Sequence, residues 1–141
     1  VTLFLLVAHI LAAIVFIGPA TFASSAFARF AKPGSREIAG ALHSATRSYG
    51  TASVVVGGVG IALAAQRALF SAGWLMAAVA LFIIALGLLL GVAVPAQERA
   101  LDILQTGAEI PASLKTRLRL GAGLFSLCWL IVLVLMVTKP F

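Results

Sequence analysis

The sequence predicts an all-α polytopic integral membrane protein, an antiparallel four-helix transmembrane bundle. The 141-residue chain is 62% hydrophobic and 10% charged, with a mean hydropathy of +1.17, whereas a soluble domain is roughly 25% charged. Its apolar residues form four runs, and each approaches the ~20 residues with which a helix crosses a bilayer core ~30 Å thick. Because these runs take up nearly the whole chain, we expect a single transmembrane domain over residues 1–141.

The first span is expected over about residues 1–28 and ends before Arg29. Gly18 and Pro19 interrupt this run. A proline inside a helix removes an amide donor and collides with the preceding turn, so we expect a kink there rather than an end. In the connection "AKPGS" that follows, Ser35 is suited to cap the next helix.

The remaining spans are expected over about residues 36–70, 73–94 and 118–138. The second is longer than a bilayer requires, so its first turns are expected in the polar interface. Pro95 marks a kink or an exit after the third span, and "AQERALDILQ" then has the apolar period of a helix. The stretch "TGAEIPAS" interrupts this rhythm before the last span begins.

The basic residues predict the orientation. Of ten Lys and Arg residues, Arg67 and Lys139 lie on one side, and the others lie on the first and third connections. Those eight are Arg29, Lys32, Arg36, Arg47, Arg99, Lys115, Arg117 and Arg119. The positive-inside rule therefore places both long connections in the cytoplasm and both termini outside a cell inner (plasma) membrane. Since topology explains the net charge of +6, we expect no nucleic-acid partner.

Small residues form a stripe on one face of each of two helices. On the second helix they recur at steps of three and four: Ala39, His43, Thr46, Gly50, Ser53, Gly57, Gly60 and Ala64. On the third helix they are Gly73, Ala77, Ala80, Gly87 and Gly91. Lipid tails are as apolar as leucine, so transmembrane helices associate by close packing, which small residues allow. We expect both stripes to pack within the bundle.

His9 stands in the middle of the first apolar run. It lies ~12 Å along the helix from Val1, where a polar group usually faces the bundle interior and has a partner. One interpretation is an axial ligand of haem, or a copper ligand. The other is a neutral imidazole that hydrogen-bonds a Ser, a Thr or a carbonyl on a neighbouring span. For a b-type haem, Met76 is the second ligand expected at a similar depth.

Arg36, His43 and Arg47 are predicted to share one face of the second helix, within about 40° of one another at headgroup depth. Cations at that depth attract anionic lipids. We therefore predict a bound lipid headgroup, with the arginines as main contacts and His43 as a hydrogen-bond donor. The alternative is that the arginines point to water and only fix the topology.

The sequence favours a protein without catalytic activity. Its four carboxylates, Glu37, Glu98, Asp102 and Glu109, all lie in polar connections. Proton-coupled transporters and ion channels normally need a carboxylate or a ring of polar side chains inside the membrane. In addition, no Ser, Cys or Lys has a visible activating partner, and we expect no metal site.

Three stretches carry a resemblance to known proteins: "HILAAIVFIG" at residues 9–18, "VPAQERALDIL" at 94–104 and "LIVLVLMVTKP" at 130–140. They resemble an uncharacterised family of predicted bacterial four-helix integral membrane proteins, which is loosely similar to the copper-resistance D-type and HemJ-type membrane proteins. The resemblance implies a compact four-helix protein, with His9 at the position that HemJ-type proteins use for haem.

Two functional hypotheses follow. The first is a non-catalytic accessory, structural or assembly subunit of a larger membrane complex, whose outward faces meet lipids, other membrane subunits or further copies of itself. The second is a b-type haem-binding membrane protein in electron transfer or haem handling, with His9 as axial ligand. No cofactor is certain from the sequence, and haem b is the one that the second hypothesis requires.

Overall fold

The computed structural model describes residues 2–140, which form four long helices and no β-strand. The helices are α1 (Thr2–Phe30), α2 (Arg36–Gln66), α3 (Gly73–Gln105) and α4 (Ala112–Thr138). Each is long and apolar enough to cross a membrane. The all-α class and the four apolar elements are therefore confirmed.

Helix ends differ from the expected spans because a helix does not stop where its side chains become polar. The third helix continues through Pro95 to Gln105, well past residue 94, and α4 begins at Ala112 rather than 118. The second helix instead ends earlier, at Gln66. Apolar length therefore predicted where the chain can cross a membrane, whereas the backbone hydrogen bonds continue into the connections.

A turn of π-helix precedes the proline in both α1 and α3. Ala13–Ile17 precedes Pro19, and Leu89–Ala93 precedes Pro95. A proline ring collides with the carbonyl four residues earlier. A π turn holds one extra residue, so that carbonyl is displaced. Both helices continue through the proline, as predicted for Pro19.

The most extensive contacts join helices that are neighbours in sequence. The first part of α1 packs on the last part of α2, and the last part of α1 packs on the first part of α2. The other such pair is α3 with α4, while α1 also contacts α4 and α2 contacts α3. The four helices thus surround a common core.

The core consists of three buried clusters along the bundle. The middle cluster includes Ile17, Val56, Leu89 and Phe125, contributed by all four helices. A second cluster lies where α1 ends, α2 begins, α3 ends and α4 begins, and it includes Phe27, Ala39, Ala100 and Leu114. We call this the basic end, because the eight basic residues of the first and third connections lie near it. The third cluster contains Ala64, Trp74 and Leu75.

The small-residue stripe of α2 faces the other helices, as predicted. Its residues are buried or partly buried along its whole length. A Cβ atom on Gly50 would lie 2.7 Å from Leu89 Cδ2, and one on Gly57 would lie 2.7 Å from Phe82 Cε1. Glycine at these two positions therefore allows α3 to approach closely.

The prediction that the α3 stripe packs within the bundle is wrong. Gly73, Ala80, Gly87 and Gly91 are exposed, and we call them the outer α3 face. The buried residues of this helix instead include Trp74, Leu75, Ala78, Ala85, Leu89 and Ala93. Because the first part of α3 is apolar on every side, its periodicity does not indicate which face turns inward.

Candidate functional site

A chain of hydrogen-bonded side chains joins α2 to α3 at the basic end. His43 Nδ1 lies 2.9 Å from Gln97 Oε1. The Gln97 amide donates to the Thr46 hydroxyl at 3.3 Å, and that hydroxyl donates to the Leu42 carbonyl at 2.8 Å. Because Gln97 Oε1 can only accept, His43 Nδ1 is the donor and carries the proton.

Burial makes this network important for the packing of α2 on α3. Gln97 is 1% exposed and Thr46 is fully buried. An amide buried without a partner costs about 1–3 kcal/mol, so only arrangements that satisfy Gln97 are favourable. The His43 ring also packs edge-to-face with Phe27 of α1, with ring centroids 6.4 Å apart. The network thus fixes how the helices are rotated against one another.

The second nitrogen of His43 faces the surface. Its Nε2 lies 4.0 Å from Oε1 of Glu98, whose side chain is 53% exposed. This is the one contact within 4.0 Å between a basic and an acidic side chain among residues 2–140. The imidazole therefore links a buried amide to an exposed carboxylate.

The three residues predicted to bind a lipid headgroup lie in two different environments. Arg36 and Arg47 are exposed, whereas the His43 ring points towards Gln97 inside the bundle. The structure brings His43 to α3 rather than to the two arginines. A headgroup held by all three residues stays a prediction, as does the alternative that the arginines only fix the topology.

His9 donates a hydrogen bond to α2. Its Nδ1 lies 3.0 Å from the Val56 carbonyl oxygen, which can only accept. A neutral imidazole then keeps the lone pair on Nε2. The ring packs on Gly60, where a Cβ atom would lie 2.9 Å from His9 Cε1. This is the bond to a neighbouring carbonyl that one of the two interpretations of His9 predicted.

The structure does not bring Met76 to His9. Met76 is 47% exposed. The part of α1 that carries His9 packs on α2, whereas the part of α3 that carries Met76 packs mainly on α4. The two residues expected to ligate haem therefore lie on helix segments with different main neighbours, and their joint ligation stays a prediction.

Two adjoining cavities lie between α3 and α4 near the basic end. One has a volume of about 360 Å³ and the other about 300 Å³, and both are lined by Val92 and Arg117. Arg99 lines the smaller cavity, and so does Gly91, at the end of the outer α3 face. Since they share Val92 and Arg117, we refer to the two cavities together as the α3–α4 groove.

Sequence reasoning missed Gln97 and this groove. Gln97 lies at helical spacing from the apolar residues Val94, Ala100 and Leu104, so it interrupts an apolar face, and that was the available signal. No comparable signal existed for Arg99 and Arg117, because they lie on different helices and looked like ordinary topology determinants.

No protein family, curated protein or solved structure matches this chain.

Proposed function

We propose that this chain is a non-catalytic membrane protein of the bacterial inner membrane, an antiparallel four-helix transmembrane bundle that serves as an accessory or assembly subunit of a larger membrane complex. The observation that carries the proposal is the outer α3 face. Both termini lie outside, and the basic end lies in the cytoplasm.

Helix pairing and charge support the membrane arrangement. The first part of α1 contacts the last part of α2, and the last part of α1 contacts the first part of α2. This pairing favours an antiparallel bundle. Eight of the ten Lys and Arg residues lie near one end of it. Their position is that of cytoplasmic connections under the positive-inside rule.

The outer α3 face is suited to contact another transmembrane helix. A Cβ atom added to Gly87 or to Gly91 would meet no atom within 4 Å, so this strip of backbone is open. Exposed Ile83 and Ile84 lie beside it. Small residues flanked by larger apolar ones allow a second helix to approach closely and pack on both.

Affinity purification in mild detergent, from the native membrane and at native expression level, tests this proposal. We expect a second membrane protein to co-purify in a fixed ratio. The double variant Ala80→Leu/Gly87→Leu places large side chains on the outer α3 face, so the second protein should no longer co-purify. Gly123→Leu is the matched control, since Gly123 is exposed on α4 with no atom within 4 Å of an added Cβ.

A strictly monomeric particle with no co-purifying protein would contradict the proposal. So would a partner that remains bound to the double variant. A particle that contains only copies of this chain would replace the accessory subunit with a self-associating structural protein.

The geometry of His9 favours b-type haem binding as a second candidate function. Metal-bound histidines usually donate their other ring nitrogen to a carbonyl or a carboxylate. His9 already donates Nδ1–H to Val56, which leaves Nε2 for iron. A bound haem would supply one-electron chemistry, with His9 as an axial ligand. An absorption spectrum of the purified protein tests this: a Soret band should disappear in His9→Ala and persist in His43→Ala.

A further inference from the structure

The α3–α4 groove changes from apolar to polar along its length. Leu88, Leu120 and Leu124 line the part nearer the middle of the bundle. Ser113, Thr116 and Arg117 line the part nearer the basic end, and Arg99 adds a second guanidinium there. On both helices the polarity changes in the same direction. Such a gradient matches an amphiphile that lies parallel to the helices.

The two guanidiniums of the groove are open to an anion. Arg99 and Arg117 are exposed, and neither has a carboxylate within 4.0 Å in the part of the chain that the structure describes. The guanidinium group binds phosphate through paired, charge-assisted hydrogen bonds. Two arginines that line one cavity therefore favour a phosphate group.

The depth of the arginines matches a lipid headgroup. The apolar run of α3 ends at Val94, and that of α4 begins at Leu118. Arg99 and Arg117 lie just beyond these two points. In the membrane orientation proposed above, they reach the inner headgroup layer, while Val92 and Leu124 lie among the acyl chains.

We infer that the α3–α4 groove binds an anionic phospholipid, with its phosphate between Arg99 and Arg117 and one acyl chain along Val92. The cavity volumes of about 360 and 300 Å³ are within the usual range for ligand sites. This inference rests on the membrane orientation in the proposed function, but not on a partner subunit.

Native mass spectrometry of the full chain in detergent, titrated with phosphatidylglycerol or with phosphatidylcholine of the same acyl chains, tests the inference. We expect tighter binding of phosphatidylglycerol. In Arg99→Gln/Arg117→Gln its affinity should fall roughly thirtyfold, which corresponds to two arginines at about 1 kcal/mol each. Both side chains are exposed, so the fold should be retained, as circular dichroism can verify.

Arg29→Gln/Lys32→Gln is the matched control, because both residues are exposed and the variant removes the same charge from the basic end without altering the groove. It should change phosphatidylglycerol affinity less than twofold. An equal loss in both double variants would show diffuse attraction to the basic end and would overturn the inference. A second variant, Val92→Phe, narrows the acyl-chain part and should weaken binding while both arginines remain.

Glycerol 3-phosphate separates a lipid site from a site for a soluble phosphate. It should not displace phosphatidylglycerol at millimolar concentration, and displacement would contradict a lipid site. The variant Ala80→Leu/Gly87→Leu should bind phosphatidylglycerol normally. Failure of the lipid inference is therefore distinguishable from failure of the proposed accessory function.

Discussion

The hydrogen bond from His9 to Val56 depends on a neighbouring residue that has no side chain. Gly60 leaves room for the imidazole, since a Cβ atom there would lie 2.9 Å from His9 Cε1. We expect Gly60→Ala to lower the free energy of unfolding by about 1–2 kcal/mol, because the ring must move and its hydrogen bond is strained. Unfolding in mixed micelles, followed by circular dichroism, measures this change.

Gly58→Ala is the control for this effect. Gly58 is exposed, with no atom within 4 Å of an added Cβ, so alanine there should stabilise the helix by about 0.5–1 kcal/mol. In a His9→Ala background the cost of Gly60→Ala should vanish. A cost that persists in that background would show that the imidazole does not occupy the space over Gly60.

Gln97 is the other single residue whose replacement should matter. Gln97→Leu removes the acceptor for His43 and the donor to Thr46, so we expect a loss of about 1–3 kcal/mol in the free energy of unfolding. Gln105→Leu, at an exposed position on the same helix, should change it by less than about 0.5 kcal/mol.

A double-mutant cycle shows whether the Gln97 loss comes from the hydrogen bond. The variant His43→Leu/Gln97→Leu leaves neither polar partner behind, so it should lose less stability than the two single variants together. Strict additivity of the two losses would contradict the hydrogen-bonded pair.

Helix α3 packs one face into the bundle and leaves the opposite face exposed. Ala85 is buried among Val56, Leu89 and Phe125, so Ala85→Leu should overpack the core and cost about 1–3 kcal/mol. Gly87→Leu, two residues further on, should leave the isolated chain as stable or slightly more stable. Thermal unfolding of both variants in detergent tests this assignment, and the opposite order of stability would reverse the two faces.

The contrast between α2 and α3 shows what sequence reasoning can predict. The small-residue stripe of α2 contains His43, Thr46 and Ser53. Polar side chains in an otherwise apolar helix turn towards partners, so this stripe could be predicted to face inward. The inner and outer faces of α3 were equally apolar, so only tertiary contacts distinguish them. His43 and Gln97 are 54 positions apart. Their hydrogen bond depends on how α2 and α3 are rotated against each other, and the residues around either position do not indicate that rotation.

The orientation of the bundle in the membrane can be tested directly. Single cysteines in a Cys128→Ala background report it, at Lys32 and Ala108 for the basic end and at Ser71 for the other end. Gly34 and Gly107 lie in the same two connections, but their φ angles of +89° and +80° would strain a cysteine, so they are left unchanged. A membrane-impermeant maleimide should label Ser71→Cys in intact cells, and Lys32→Cys and Ala108→Cys only after permeabilisation. Labelling of the basic end in intact cells would reverse the orientation.

The pairing of sequence neighbours has a consequence for how the molecule is made. The contacts of α1 with α2 are complete once residue 66 has been synthesised, before any of α3 exists. Those of α3 with α4 form in the same way from the second half of the chain. Since local contacts form faster than distant ones and units fold as they emerge during synthesis, the order of translation becomes the order of assembly. The bond between His43 and Gln97 then belongs to the last step, in which two finished helix pairs meet.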